Sequence, residues 1–215
     1  MNRPTSMSKE CTTGFDEQTL DAIADAISKH GYVILPNALD TDLFEGLQRR
    51  VKGFTASDWK AAGIGRNREH QLDKQMRSDS IHWFTGHDAS EDVFIDAMES
   101  LRTGLNRRLF LGLFDFEAHF AEYPEGAFYV KHIDALRGRS NRVLSVVYYL
   151  NTDWQQADSG ELLIYSDDKG LPVERVLPEG GTLVLFESER FPHEVLAANR
   201  PRHSIAGWFR INENS

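Results

Sequence analysis

Cysteine is all but missing from this chain: Cys11 stands alone in 215 residues. One thiol closes no internal disulfide and builds no Cys-ligated zinc or iron–sulfur cage. No apolar run approaches the roughly 20 residues that cross a bilayer. The opening MNRPTSMSKECTTGF also lacks the apolar stretch of a secretory leader. The expectation is a cytoplasmic protein with no membrane partner. Positive charge is short as well, with Lys plus Arg at 24 against 33 Asp plus Glu and a formal net charge of −9. Polyanions repel a chain of that sign, so nucleic acid is not an expected partner. There is no internal repeat and no linker, and a monomer is expected.

What is present is ordinary for a globular chain: 40% apolar and 27% charged residues, enough for one domain to bury roughly 70% of its unfolded surface. Residues 1–14 are polar and rich in Ser and Thr, the composition of a disordered arm, and 15–215 read as a single domain. Leu20, Ile23 and Ile27 recur at helical spacing between Asp16, a candidate N-cap, and Gly31, a candidate stop. Residues 32–35 read as a buried strand. Asp40 or Thr41 caps a second helix with Leu43, Phe44, Leu47 and Val51 on one face. A third starts near Ser90 and carries Phe94, Met98, Leu101 and Leu105. Between them, 61–80 is charged, opens with Gly63 and Gly65 and has no apolar period, which makes it either a functional lid or a disordered loop.

After Gly112 the period becomes twofold. Short apolar runs at 114–123, 126–133, 142–150, 161–166, 172–177, 181–186, 193–198 and 203–211 are separated by turn residues, the pattern of a sandwich or jelly roll. The fold class is therefore α+β, mainly β: supporting helices in a front half at 15–112, then a β core at 113–211.

Of the eight histidines, only His132 forms His-x-Asp, with Asp134. Residues i and i+2 of a strand project to one face, so this pair can meet one metal. Phe191-Pro192-His193 sets a second imidazole at the mouth of another strand. Two His and one carboxylate leave three positions open, which suits non-haem Fe(II); zinc hydrolysis by the same set stays open. Arg202 shares a strand face with Ser204, Ala206 and Trp208. A buried guanidinium there needs an anion, either a dicarboxylate gripped by two charge-assisted hydrogen bonds or a carboxylate of the protein. His203 faces the other way and reads as packing or solvent. His119, among Phe116 and Phe120, reads as structural, and Tyr148 as core. Arg137, Arg139 and Arg142 form a basic cluster, either a solvated loop or a contact for an acidic target.

The stretches YPEGAFYVKHID (123–134), RVLSVVYYLN (142–151), SGELLIY (159–165) and FPHEVLAANRPRHSIAGWF (191–209) resemble the Fe(II)- and 2-oxoglutarate-dependent dioxygenases. Within them the chain looks like the prolyl hydroxylases that include the hypoxia-inducible-factor enzymes and their bacterial relatives. The resemblance implies a double-stranded β-helix with His132, Asp134 and His193 as iron ligands. It implies Arg202 and Tyr149 on the remote carboxylate of 2-oxoglutarate, with Val147, Leu162 and Tyr123 lining the cosubstrate pocket. Tyr129 and Trp208 would wall the substrate side, and Arg142 matches a position of substrate contact. Tyr129 faces away from His132 on a regular strand unless a bulge intervenes, and Ala206 stands where the animal enzymes carry threonine.

The implied reaction oxidatively decarboxylates 2-oxoglutarate with O2 to succinate and CO2, with ascorbate as reductant, and hydroxylates a proline in an exposed loop of a protein substrate. For bacterial relatives the resemblance suggests elongation factor Tu as that substrate. The competing readings are a hydroxylase of a free amino acid or other small metabolite, and a non-enzymatic jelly-roll binding module.

Overall fold

Asp16 and Asp40 each accept a hydrogen bond from a backbone N–H three residues ahead, Thr19 at 2.7 Å and Leu43 at 2.9 Å, and these caps start two helices. The computed structural model describes residues 14–62, 76–135, 140–166 and 170–212. The predicted arm, save Gly14, and 63–75 of the predicted lid lie outside the described residues. Helix α1 is Glu17–His30, α2 is Thr41–Lys52 and α3 is Ala89–Leu109. Gly31 ends α1 at φ 83°, a left-handed conformation that favours glycine, and returns its N–H to the Ile27 carbonyl.

Among the described residues eleven strands follow in chain order: β1 (Tyr32–Leu35), β2 (Lys60–Ala61), β3 (Ser80–Trp83), β4 (Asp115–Tyr123), β5 (Tyr129–His132), β6 (Arg142–Tyr149), β7 (Leu162–Tyr165), β8 (Pro172–Val176), β9 (Leu183–Glu187), β10 (His193–Val195) and β11 (Arg202–Arg210). They form a seven-stranded sheet in the order β1-β9-β6-β11-β4-β3-β2 and a four-stranded sheet in the order β5-β10-β7-β8. Every pairing is antiparallel. The jelly-roll core is therefore wider than residues 113–211, because β1, β2 and β3 from the front half extend the large sheet.

Strand alternation gives that sheet two distinct faces. Leu144, Val146 and Tyr148 of β6, with Ile205 and Phe209 of β11, pack against Leu20, Ile23, Leu47, Phe94, Met98 and Leu101 of the helices. Each fully buried aliphatic side chain there contributes about 1.5–3 kcal/mol. Position 207, between Ile205 and Phe209 on this face, takes glycine because a Cβ would stand 2.5 Å from the Phe116 ring and 2.8 Å from the Glu117 carbonyl. The opposite face carries Tyr149, Val184, Phe186, Ala121 and Tyr123, which meet Leu162, Ile164, Val176 and Val195 of the small sheet. The helices thus clamp one side of the large sheet and leave the other facing the small sheet.

One expectation is corrected here. His119 does not sit among Phe116 and Phe120. It pairs in register with Ala206 on the inner face, while Phe120 joins the helix-side core. Its ring lies between Trp83 (4.9 Å) and Trp208 (5.6 Å). Burial holds its pKa down to about 4, so it is a neutral imidazole at pH 7.

Candidate metal centre and anion pocket

The two histidines are set by sheet register: His132 closes β5, His193 opens β10, and they are paired partners. Asp134 follows in the bend after β5. His132 Nε2 lies 3.6 Å from Asp134 Oδ1, and His193 Nε2 lies 3.6 Å from Oδ2. One ligand atom from each of the three falls within 4.8 Å of the others. The Nδ1 atoms face backbone carbonyls, Val130 at 2.8 Å and Phe191 at 3.0 Å. A carbonyl only accepts, so Nδ1 carries the proton in both rings and Nε2 keeps its lone pair for a metal. Burial, then the neighbouring His132, holds His193 down to about 4. Burial works to raise the Asp134 carboxyl, but His193, His132 and the Ser145 hydroxyl outweigh it and hold the carboxyl well below its ordinary range. Two imidazoles and one carboxylate are the donor set of a non-haem Fe(II) site.

Tyr129 reaches this centre through a bulge. Val195 pairs with Tyr129 and His193 with His132, so two steps on β10 oppose three on β5. The extra residue turns Tyr129 onto His132, with ring centroids 3.5 Å apart and planes 13° from parallel. Arg77 lies over the other side of Tyr129 at 4.3 Å and donates to both oxygens of buried Asp79, at 2.6 and 2.7 Å. The end of the predicted lid is therefore fixed: Val130 N–H donates to the Met76 carbonyl and Ser78 N–H to that of Phe128.

Arg202 is 1% exposed. Its guanidinium lies over the rings of Tyr123 at 4.9 Å and Tyr149 at 5.0 Å. Among the described residues no carboxylate pairs with it, which favours an anion from outside the protein as its partner. Arg202 Nε and the Tyr149 hydroxyl are buried without a hydrogen-bond partner. Burial pushes the Tyr149 and Tyr123 hydroxyls up, so both stay protonated near neutral pH. Val147 and Leu162 sit in the same inter-sheet cluster as these tyrosines. A buried cation and a buried hydroxyl donor, both unsatisfied and walled by apolar side chains, fit the distal carboxylate of a small dicarboxylate.

Trp208 lies on the same face of β11, in register with Ser145. The Arg142 guanidinium stacks on its ring at 3.4 Å and donates to Glu117 at 2.9 and 3.1 Å. Glu117 also accepts from Arg210 at 2.7 Å. Arg142 is thus charge-matched within the fold; Arg137 and Arg139 lie outside the described residues. His203 lies beside Glu122 at 3.3 Å, away from Arg202. Sequence reasoning did not single out Ser145, Ser188, Arg77 or Asp79 as site residues. Only Ser145 carried a signal, since it shares a strand face with Val147 and Tyr149. Among the described residues no helix is long and apolar enough to cross a membrane.

Residues 118–210 match the model of the 2OG-Fe(II) oxygenase superfamily. The hypoxia-inducible factor prolyl hydroxylase of Caenorhabditis elegans is 27% identical over 197 residues, covering 86% of this chain but 27% of that protein, so the chain spans about a quarter of that relative's length. Among solved structures, a Pseudomonas putida prolyl-4-hydroxylase is 39% identical with a TM-score of 0.80, covering 90% of this chain and 99% of that one. A Trichoplax adhaerens prolyl hydroxylase, solved with a peptide of the hypoxia inducible factor oxygen degradation domain, is 27% identical with a TM-score of 0.79 and covers 90% of each. Fold, donor set and these likenesses agree, and the chain belongs to the 2OG-Fe(II) oxygenase superfamily, as an enzyme homologous to the prolyl hydroxylases.

Proposed function

We propose that this enzyme hydroxylates a proline in an exposed loop of a protein, consuming 2-oxoglutarate and O2 and releasing succinate and CO2. The observation that carries the reading is Arg202, buried beside Tyr149 with no carboxylate among the described residues paired to it. In this reading His132, Asp134 and His193 hold Fe(II). Arg202 and the Tyr149 hydroxyl grip the remote carboxylate of 2-oxoglutarate, and Val147, Leu162 and Tyr123 exclude water around its chain. Iron and 2-oxoglutarate, when bound, supply the oxidising chemistry that no side chain provides. Metal binding needs deprotonated ligand atoms, and the Nδ1–carbonyl contacts of both histidines leave Nε2 aimed at the metal. Tyr129 and Trp208 wall the substrate side, and Arg142, fixed by Glu117, presents a guanidinium at its edge. The Trichoplax relative's peptide complex supports a protein substrate, and elongation factor Tu is the first candidate. We place the enzyme in the cytoplasm as a monomer, with ascorbate as its reductant.

The test incubates the purified chain with lysate of its source cells, Fe(II), ascorbate and 2-oxoglutarate, alongside a His193→Ala control. Mass spectrometry then searches for peptides that gain one oxygen. The expected result is a prolyl site, in elongation factor Tu or another protein, that appears only with the intact enzyme and only with 2-oxoglutarate. No new protein oxidation, with succinate formed when small metabolites are supplied instead, would overturn the protein-substrate reading.

A further inference from the structure

The three candidate ligands are not held alike. His132 and His193 are paired residues of the small sheet. Asp134 lies beyond the end of β5, so no strand ladder fixes its carboxylate. Its support comes from across the interior, from the large sheet. Ser145 of β6 donates to Asp134 Oδ2 at 2.6 Å, and Ser145 and Ser188 Oγ are 2.9 Å apart. The next residue, Ala135, donates its N–H to the Ser188 carbonyl at 3.3 Å, and Ser188 N–H donates to the Val143 carbonyl at 2.9 Å. Both serines are buried, at 2% and 0% exposure.

Proton counting sets the direction of this chain. Ionised Asp134 can only accept. Ser145 has one hydroxyl proton, which goes to Asp134, so Ser145 accepts from Ser188. The order is Ser188 to Ser145 to Asp134. Each donation polarises the next, and the low local dielectric strengthens both. Oδ2 is engaged by Ser145, which leaves Oδ1 the less encumbered oxygen on the His132 side.

We propose that Ser145, oriented by Ser188, is the positioning residue that aims the Asp134 carboxylate at the metal, docking the bend after β5 onto the large sheet. The proposal rests on the reading of the triad as a metal site. Neither serine touches the metal. Their role is to supply the fixed orientation that the two histidines take from sheet register. Loss of such a supporting hydrogen bond weakens metal affinity by about 10–100-fold.

The test is Co(II) titration of the full chain under anaerobic conditions, followed by the ligand-field spectrum, for the wild type and the Ser145→Thr, Ser145→Val and Ser188→Ala variants. Thr and Val have nearly the same shape and differ in the hydroxyl, so any packing disturbance is common to both. The expected order is wild type and Thr close together, Ser188→Ala weaker, and Val weaker by about 10–100-fold with an altered spectrum. Metal-free melting temperatures report the stability cost of the hydrogen bond that Val lacks, and the altered spectrum at saturating Co(II) is the readout that a loss of stability alone would not produce. Val matching Thr, at whatever affinity, would overturn the positioning role. A wild type that binds no Co(II) would overturn the metal reading itself, a distinct result.

Discussion

Replacing Arg202 with Met should move two quantities in opposite directions. Arg202 is 1% exposed, its Nε has no hydrogen-bond partner, and no carboxylate among the described residues pairs with it. A buried charge in that state is held against its desolvation, and apolar replacement of buried ionic groups relieves about 1–4 kcal/mol. The two ring contacts with Tyr123 and Tyr149 offset part of this, at about 0.5–1 kcal/mol each. A net gain of about 1–2 kcal/mol raises Tm by roughly 2–8 °C in a chain of this size. Binding of 2-oxoglutarate should move the other way. Truncating one partner of a buried charge pair costs about 2–5 kcal/mol, a roughly thirty-fold to several-thousand-fold weaker Kd. The assay is thermal unfolding with Mn(II) as a redox-silent metal, with and without 2-oxoglutarate. At 100 times its Kd the cosubstrate stabilises the wild type by about 2.7 kcal/mol, and the Met variant at the same concentration should gain no more than about 0.9 kcal/mol, a third of that response. A Met variant that melts lower alone yet keeps its full response to 2-oxoglutarate would refute the argument, because the guanidinium would then be structural.

Four further outcomes follow from the same geometry. Tyr149→Phe should change Tm little, since among the described residues its hydroxyl makes no well-formed hydrogen bond and has only the Arg202 guanidinium beside it, while calorimetry should show 2-oxoglutarate affinity lowered by about 1.5–3 kcal/mol, the worth of one hydrogen bond to a charged group. Arg77→Ala strands the carboxylate of Asp79, whose side chain is fully buried, and should cost about 3–5 kcal/mol in denaturant unfolding; Arg77→Ala with Asp79→Ala should recover much of it. His119 is held down to about 4 from 6.5, so the unfolded chain takes up its proton first. Stability is full above about pH 6.5 and falls towards pH 4 by about 3 kcal/mol, and His119→Gln should flatten that part of the stability curve. Gly207→Ala forces a Cβ into Phe116 and the Glu117 carbonyl; an overpacking cost of about 1–3 kcal/mol should appear as a lower Tm with unchanged Co(II) affinity.

The parts legible in the sequence are those governed by local periodicity. Asp16, Gly31 and Asp40 mark helix ends because capping is a matter of a few neighbouring residues. Strand alternation by itself places Arg202, Ser204, Ala206 and Trp208 on one face, and Val147 with Tyr149, because the period of two survives any tertiary arrangement. The same rule, applied to β4, separates His119 from Phe120, because adjacent residues on a strand face apart however near they stand in sequence. Tyr129 shows where periodicity fails. The bulge in β5 shifts parity by one residue, and nothing in YVKH announces it; the shift exists only because β10 pairs on both sides of the extra residue. The least legible contacts join distant segments: Arg77 to Tyr129, and Ser188 through Ser145 to Asp134. Serine and arginine at those positions read as ordinary polar residues of a loop or a strand end. They become part of the site only because the large sheet closes over the small one and brings the Ser145 hydroxyl within reach of the Asp134 carboxylate. Two histidines aligned by register and one carboxylate aligned by hydroxyls are different solutions to the same requirement. His-x-Asp and Pro-His leave a signature in local sequence that points to candidate ligands, whereas the serines that support Asp134 leave none.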